Sequence, residues 1–398
     1  MGKIKVAWLC AFANDEIAQL IGVQSQSTVS PWISDLINLF RLKNDIELYI
    51  ISPNYYNNRH KYILVDNIHI FLFKYMPNYL PKKFYNLSYN YNITCRSVKE
   101  ILAMLKPNLI HLFGSENPLY SAGILYFQNK IPILVSIQGF VHLSSPPANL
   151  ISKYIRWNRI RIERKINSNE KYFGCATEDV KKVLNEINPS SVKFDTFYPT
   201  TIPEVCAHNY PQKKYDLVYF ARISKDKGIE DFIEAVAQLK KTIQNIKTIV
   251  IGGGNDNYIQ ILKEYIKRKN LDTNILFAGF QASQQDVFKL AARSQVYVLP
   301  THFDGIPGTI REAMYMKLPV VAYNVGGIPS LNEQIECITL AEKNNIQDLV
   351  EKINLVINET DRTERLVNNA FNLIKNKFDN NKIYADLISI YNSILKMN

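Results

Sequence analysis

The 398-residue chain is poor in the residues that build stapled or metal-built folds. Its five cysteines, Cys10, Cys95, Cys175, Cys206 and Cys337, are odd in number, widely scattered and without a C-x-x-C pair. That excludes a disulfide framework and a cysteine-built zinc site, and fits a reducing cytosol. The six histidines, at 60, 69, 111, 142, 208 and 302, show no H-E-x-x-H spacing, and no Asp-x-Asp occurs, so no metal site is expected. With 15 glycines and 17 prolines the chain is neither low-complexity nor disordered. Long apolar runs are also lacking. The best, Ile131 to Ser152, carries Pro132, Gln138, Gly139, His142 and Pro146-Pro147, which argues against a bilayer span. Met1 to Cys10 lacks the layout of a signal peptide, and position 6 lacks the Ser or Thr of a myristoylation site. A cytoplasmic protein is expected.

What is present is enough apolar material for a sizeable core: 47% hydrophobic and 12% aromatic residues. At 45.9 kDa the chain exceeds one hydrophobic core, so two domains are expected. In the first half, β-branched runs near Ile4-Cys10, Ile46-Ser52, Leu109-Leu112 and Pro132-Ile137 alternate with helical stretches near Trp32-Leu42, Arg96-Leu105 and Ile151-Ile166. The second half repeats the rhythm. Strands are predicted near Asp216-Ala221, Lys247-Ile251, Asn274-Phe277, Val296-Leu299 and Pro319-Ala322, with helices near Ile229-Lys240, Tyr258-Lys269, Gln284-Ala292, Gly308-Met316 and Ile346-Ile357. Such alternation predicts an α/β protein of two doubly wound parallel sheets. The proline-marked stretch from Phe197 to Lys214 places a linker near residue 205, giving domains 1–205 and 206–380. A final helix within 381–398 is expected to cross back to the first domain.

The net charge of +11 is uneven. Residues 1–200 hold 23 Lys and Arg against 14 Asp and Glu, while residues 201–398 hold 24 against 22. The basic first half suggests an anionic partner there: a phosphate-bearing substrate, a membrane surface or nucleic acid. Two segments could meet it. Lys153, Arg156, Arg159, Arg161, Arg164 and Lys165 interleave with apolar residues on one helix, and Phe73 to Tyr85 with Tyr89-Asn-Tyr91 mixes tyrosines and lysines. A solvated face over a buried aromatic stripe is the plain alternative.

Ligands of doubly wound sheets sit beyond the C-terminal strand ends, so the second-half loops are the place to look. The first, Arg222-Ile-Ser-Lys-Asp-Lys227-Gly228, sets cations before a helix, where Arg can fork onto phosphate oxygens and Lys supply a point charge; a basic loop is more often simply solvated. The second, Gly252-Gly253-Gly254-Asn255, allows close approach of a ligand or of backbone, but is not the G-x-G-x-x-G fingerprint. The third, Asp304-Gly-Ile-Pro307-Gly308-Thr309-Ile-Arg-Glu312, is the strongest. Pro307 suits the first helical position, leaving the amides of Gly308, Thr309 and Ile310 to face an anion, with Asp304 ahead and Glu312 a turn inside. An acidic cap with a surface Glu is the plain alternative here.

Together these residues resemble retaining glycosyltransferases of family 4, which have the GT-B fold. Val218-Tyr-Phe-Ala-Arg222 with Lys227-Gly228 is similar to the family's Gly-Arg...Lys-Gly loop, Asp304 to Glu312 to its E-x7-E motif, and Pro319 to Pro329 to its next strand and glycine loop. The resemblance implies two Rossmann-like domains facing an interdomain cleft, with the first binding the acceptor. It implies a nucleotide-diphosphate sugar as donor and no further cofactor. Arg222 and Lys227 would stabilise the leaving diphosphate, Asp304 would touch the transferred sugar, Glu312 would hold the ribose, and Gly308, Thr309 and Gly253 would lie at the donor. Asp304 departs from the usual Glu.

The first half matches more loosely. Pro107 to His111 resembles the family strand ending in His, while Gln138 stands where a His is usual and Phe12-Ala13-Asn14 replaces a Gly-Gly pair. Gln138 hydrogen-bonds but shuttles no proton. Gln138 and His111 are therefore candidate contacts to acceptor or donor sugar, His111 alone being more often structural. The leading reading is a glycosyltransferase acting on a glycan or lipid-linked precursor of a bacterial-type surface polysaccharide, with peripheral contact to the cytoplasmic membrane face. The rivals are a sugar-nucleotide epimerase of the same fold, a degenerate non-catalytic anion binder, and a nucleic-acid-binding protein. The last lacks any recognisable nucleic-acid module, so no nucleic-acid partner is expected.

Overall fold

A computed structural model of the chain describes residues 3–24, 29–41, 43–77, 87, 90–144, 146, 147, 149–210 and 212–398. The chain divides into two compact units, Met1–Pro199 with Asn380–Asn398, and Thr200–Asp379. The first break falls inside the proline-marked stretch, six residues ahead of the predicted cut.

The first unit is built on an eight-stranded sheet. Its strands are β1 (Ile4–Leu9), β2 (Ile46–Pro53), β3 (Lys61–Val65), β4 (Ile68–Phe73), β5 (Leu109–Phe113), β6 (Ile133–Ser136), β7 (Tyr172–Cys175) and β8 (Val192–Asp195), in the order β3-β4-β2-β1-β5-β6-β7-β8. Every neighbouring pair is parallel except β3 with β4, so the sheet is mixed rather than wholly parallel as the alternation predicts. The exception is a hairpin. Only Asp66 and Asn67 join its strands, and Asp66 takes the left-handed conformation at φ 52°.

Strand period explains why β1 is apolar throughout. Ala7 and Leu9 point into one core with Val98 and Leu102 of the helix Asn92–Leu105, while Val6 and Trp8 point into another with Leu36 and Phe40 of the helix Pro31–Arg41. The last helix, Asn380–Lys396, closes the second core with Ile383, Leu387, Ile390 and Ile394. It is anchored by a polar contact, the Trp8 indole N–H donating to the Tyr391 hydroxyl at 2.9 Å.

One buried group sets a pH dependence. Glu170, just after the helix Leu150–Asn169, is 6% exposed, and its Oε1 has no hydrogen-bond partner among the described residues. Burial pushes its carboxyl from 4.5 up to about 7. The folded chain then holds a proton that the unfolded chain releases between these values, so stability falls as pH rises through that window. Glu170→Gln is expected to remove the effect, gaining about 2–3 kcal/mol at pH 8 relative to pH 4.5. Urea midpoints at the two pH values check it; an unchanged difference contradicts it.

The second unit carries a six-stranded, wholly parallel sheet: β9 (Tyr215–Phe220), β10 (Thr248–Ile251), β11 (Ile275–Gly279), β12 (Ser294–Leu299), β13 (Val320–Tyr323) and β14 (Thr339–Ala341), ordered β11-β10-β9-β12-β13-β14. From β9 the chain runs outward through β10 and β11, then returns to β12 on the other side. The sheet therefore reverses between β9 and β12, where doubly wound folds bind ligands.

Candidate functional site

The loops after β9 and β12 carry the predicted residues and meet at this reversal. They come close because glycine removes the side chain that would hold them apart. Gly228 has φ 73°, and a Cβ there would lie 1.7 Å from the Pro300 carbonyl oxygen. Gly326, after β13, has φ 53°, and a Cβ would lie 1.9 Å from the Asp304 carbonyl oxygen. The Gly252-Gly253-Gly254 run after β10 likewise approaches backbone: Ile223 N–H donates to the Gly253 carbonyl at 2.8 Å, and Ile223 bridges to Gly254. Gly253 also lies beside Phe280, an 80% exposed ring at the end of β11 that sequence reading did not single out.

Charges gather on this frame. The Lys227 ammonium pairs with the Asp304 carboxylate, both side chains only about one-fifth exposed, at 23% and 19%. Two residues 77 positions apart, expected to touch diphosphate and sugar respectively, thus touch each other. Arg222 is freer, 65% exposed, and donates to Asp226 at 2.8 Å and to Ser224 Oγ at 3.2 Å. An exposed pair of this kind is weak, so its guanidinium can be re-aimed at little cost. Asp226 was not singled out in the sequence. Burial works against its charge, yet the Ser224 hydroxyl and the Arg222 guanidinium hold its carboxyl below the usual range. Its carbonyl accepts from His302 N–H at 2.9 Å and the Thr301 hydroxyl at 3.1 Å, tying the two loops together.

The helix Gly308–Tyr315 starts where its predicted span does, but Pro307 is not its first helical residue. Pro307 is its N-cap, with ψ 134°, and offers no side-chain acceptor to the first turn. Gly308, Thr309 and Ile310 hold the first three helical positions, whose N–H groups have no partner within a helix. Thr309 is held in place, its Oγ1 lying 2.8 Å from the hydroxyl of buried Tyr297. Glu312 is not a surface residue. It is 8% exposed, and its Oε2 accepts from Gln284 Nε2 at 2.9 Å, fixing the carboxylate from the helix Gln284–Ala291. The strand-end edge therefore presents cations, helix N–H groups and carboxylates together, suited to one ligand that joins a diphosphate to polyols.

His111 and Gln138 lie in the first unit, and His111 is not a surface contact. It is buried, with Nδ1 2.7 Å from the Tyr391 hydroxyl and Nε2 2.8 Å from Ser136 Oγ. An indole N–H only donates, so Tyr391 accepts from Trp8 and gives its own proton to Nδ1, leaving Nε2–H to donate to Ser136. Burial holds the imidazole well below its usual pKa, hence neutral. The chain continues from Ser136 to Tyr198, whose hydroxyl accepts from Gln138 Nε2. His111 thus positions Gln138 through two hydroxyls.

The basic helix Leu150–Asn169 is likewise less free than its charge suggests. Arg156 donates to the carbonyls of His142 and Ser144, Arg159 to that of Glu116, and Arg161 to Asn158 Oδ1. Besides Lys153, Arg164 and Lys165, it exposes the apolar side chains of Leu150, Ile151, Tyr154 and Trp157. Of the Tyr-Lys segment, residues 78–86, 88 and 89 lie outside the described residues, while Phe73, Tyr75 and Tyr91 are buried. Among the described residues, no helix is long and apolar enough to cross a membrane, and no three His, Cys, Asp or Glu side chains cluster to hold a metal.

Residues 205–373 match the family model of glycosyl transferases group 1. The chain is 24% identical over 265 residues to the capsular polysaccharide biosynthesis glycosyltransferase CapM of Staphylococcus aureus, covering 66% of this chain and 68% of that protein. Its fold superposes on sucrose-phosphate synthase from Thermosynechococcus elongatus with a TM-score of 0.80 at 16% identity, over the whole of both chains. It also superposes on Anabaena Alr3699/HepE in complex with UDP-glucose, with a TM-score of 0.69 at 17% identity, over 98% of this chain and 100% of that one. Residues 205–373, under half of the chain, are thus similar to glycosyl transferases group 1, and the chain has the two-sheet α/β architecture of GT-B glycosyltransferases.

Proposed function

We propose that the chain is a retaining, hexosyltransferase-like, metal-independent glycosyltransferase that moves a sugar from a nucleotide-diphosphate donor to a glycan or lipid-linked acceptor in surface polysaccharide synthesis. The observation that carries this reading is the convergence of Arg222, Lys227, Asp304, Thr309 and Glu312 on the reversal between β9 and β12. The names of similar proteins agree with it: HepE is described in complex with UDP-glucose, and CapM is a capsular polysaccharide glycosyltransferase.

In this reading the bond between the sugar's anomeric carbon and the diphosphate breaks as an acceptor hydroxyl oxygen bonds to that carbon, and the hydroxyl proton leaves with the diphosphate. Negative charge grows on the departing oxygens. Lys227, Arg222 and the N–H groups of Gly308 and Thr309 meet that charge, which is the role a divalent cation would otherwise fill. Glu312, locked by Gln284, presents a fixed carboxylate to ribose hydroxyls. Asp304 holds Lys227 and faces the sugar.

A panel of UDP-, GDP-, dTDP- and ADP-sugars tests the reading. At least one is expected to raise the melting temperature in a concentration-dependent way, a ligand at a hundred times its Kd adding about 2.7 kcal/mol, and to release its nucleoside diphosphate when a glycan acceptor is supplied. No stabilisation by any member would overturn it.

A further inference from the structure

The second unit holds a cavity of about 460 Å³, within the size range of small-molecule sites. One wall is a face of the helix Thr360–Lys377, where Arg362, Arg365, Leu366 and Asn369 recur at the three- and four-residue spacing of one helical stripe, with Asn368 beside them. The other wall is Ile335 and Glu336, in the loop that leads into β14. Because the sheet is parallel, the start of β14 lies at the opposite edge from the strand-end loops of Lys227 and Asp304. The cavity is therefore no part of the site described above.

Its polar groups are only partly used. Arg362 pairs with the Glu336 carboxylate through Nη2 and has Nε 4.0 Å from Glu359, yet its Nη1 is buried with no hydrogen-bond partner among the described residues. Arg365, a turn further on, is exposed and has no acidic partner among them. The Asn368 amide is also unpaired among them, while Asn369 donates to the Glu336 carbonyl at 3.0 Å and keeps its Oδ1 as an acceptor.

These groups select a ligand. A guanidinium donor shut off from water without an acceptor is costly, and an anion's oxygen removes that cost. Two guanidiniums a turn apart can fork onto different oxygens of one phosphoryl group, which offers three where a carboxylate offers two. One carboxylate stands against them in the lining, so the walls favour an anion. The amides of Asn368 and Asn369 suit hydroxyls, and the exposed Ile335 side chain suits a C–H face.

The cavity loop is joined to the donor loops by a short, pinned stretch. Asn332 Oδ1 accepts from the N–H groups of Cys337 and Ile338 at 2.9 and 3.0 Å. Asn332 ends the 3₁₀ helix Ile328–Asn332, which follows Gly327, and the Gly327 N–H donates to the Asp304 carbonyl at 3.1 Å. A ligand that bridges the helix to Glu336 stiffens this stretch, so a nucleotide that needs Asp304 and Lys227 in place has less ordering left to do. We propose that the cavity is an effector site for a small phosphorylated polyol, gripped by Arg362 and Arg365, and that its occupation tightens nucleotide binding at the donor loops. The second half of the proposal rests on the donor site argued above; the first does not.

Calorimetric titration of glucose 1-phosphate, glucose 6-phosphate and glycerol 3-phosphate into the full chain tests it, with glucose and inorganic phosphate for comparison. At least one ester is expected to bind at millimolar concentration or below, inorganic phosphate more weakly and glucose not at all. Arg365→Gln, at an exposed position, should weaken the ester about tenfold and leave the melting temperature unchanged. A donor-loop variant, Arg222→Ala with Lys227→Ala, should bind the ester as the wild type does. At an ester concentration that saturates the wild type, UDP, GDP, dTDP or ADP, whichever binds, should bind about fivefold more tightly, with a much smaller gain in Arg365→Gln. No binding of any ester, equal binding to Arg365→Gln and wild type, or loss of binding in the donor-loop variant would overturn the site. Ester binding that leaves nucleotide affinity unchanged would overturn its role as an effector. If no nucleoside diphosphate binds, the donor reading falls and the ester titrations still decide the cavity.

Discussion

Lys227→Ala is expected to lower kcat for sugar transfer about 10²- to 10³-fold, the usual effect of removing one donor aimed at developing charge. Lys227 is held by Asp304 and shielded from solvent, so its charge acts in a poorer dielectric than that of Arg222, which is 65% exposed and paired with Asp226 across the surface. Arg222→Ala should therefore cost less. The loss should fall mainly on kcat, because the leaving diphosphate is more negative than the bound donor. Removing Lys227 also leaves Asp304 without its partner, so a weakened fold must be excluded by comparing melting temperatures. Steady-state kinetics with the best donor of the panel check the prediction; an Arg222→Ala variant slower than Lys227→Ala contradicts the assignment.

Gly228→Ala is expected to destabilise the second unit by roughly 3 kcal/mol or more. Two costs add. An alanine at φ 73° is strained by about 1–2 kcal/mol, and its Cβ would meet the Pro300 carbonyl oxygen at 1.7 Å. That oxygen is backbone, just after β12, so relief requires the β9 and β12 loops to part. The melting temperature should fall by about 6–12 °C, and activity should fall with it because Lys227 is the preceding residue. Gly305 is the control: it has nothing within 4 Å of its Cβ position, so Gly305→Ala should be nearly neutral. Scanning calorimetry distinguishes the two. Equal melting temperatures for both variants would show that the loops are not held as described.

These effects mark where sequence reasoning ran out. β9, β10, β12 and β13 are read directly from apolar runs such as Thr248–Ile251, because strands buried on both faces need no alternation. β7 and β8 escape notice because β7 includes Gly174 and β8 is only partly buried. The helix Thr360–Lys377 opens on Thr-Asp-Arg-Thr-Glu, which reads as a polar loop until Leu366, Val367, Ala370 and Ile374 are seen to be buried.

The same division holds at the site. Arg222, Lys227, Asp304 and Glu312 are legible because each lies in a short motif beside a strand end. The Lys227–Asp304 pair, the Gln284 contact to Glu312 and the glycine approaches join residues far apart in sequence, and no local pattern encodes them. Pro307 misleads by one position, since proline suits both the N-cap with extended ψ and the first helical residue. His111, a candidate sugar contact that by itself is more often structural, is buried between two hydroxyl partners, and burial keeps its imidazole neutral.

The most direct measurement is calorimetric titration of UDP, GDP, dTDP and ADP into the wild-type chain and into a triple variant, Arg222→Ala with Lys227→Ala and Glu312→Gln. At least one nucleotide is expected to bind the wild type, and to bind the triple variant about a hundredfold more weakly while the variant's melting transition persists. Equal affinity for both proteins, or no binding of any nucleotide to the wild type, would contradict a donor site between β9 and β12.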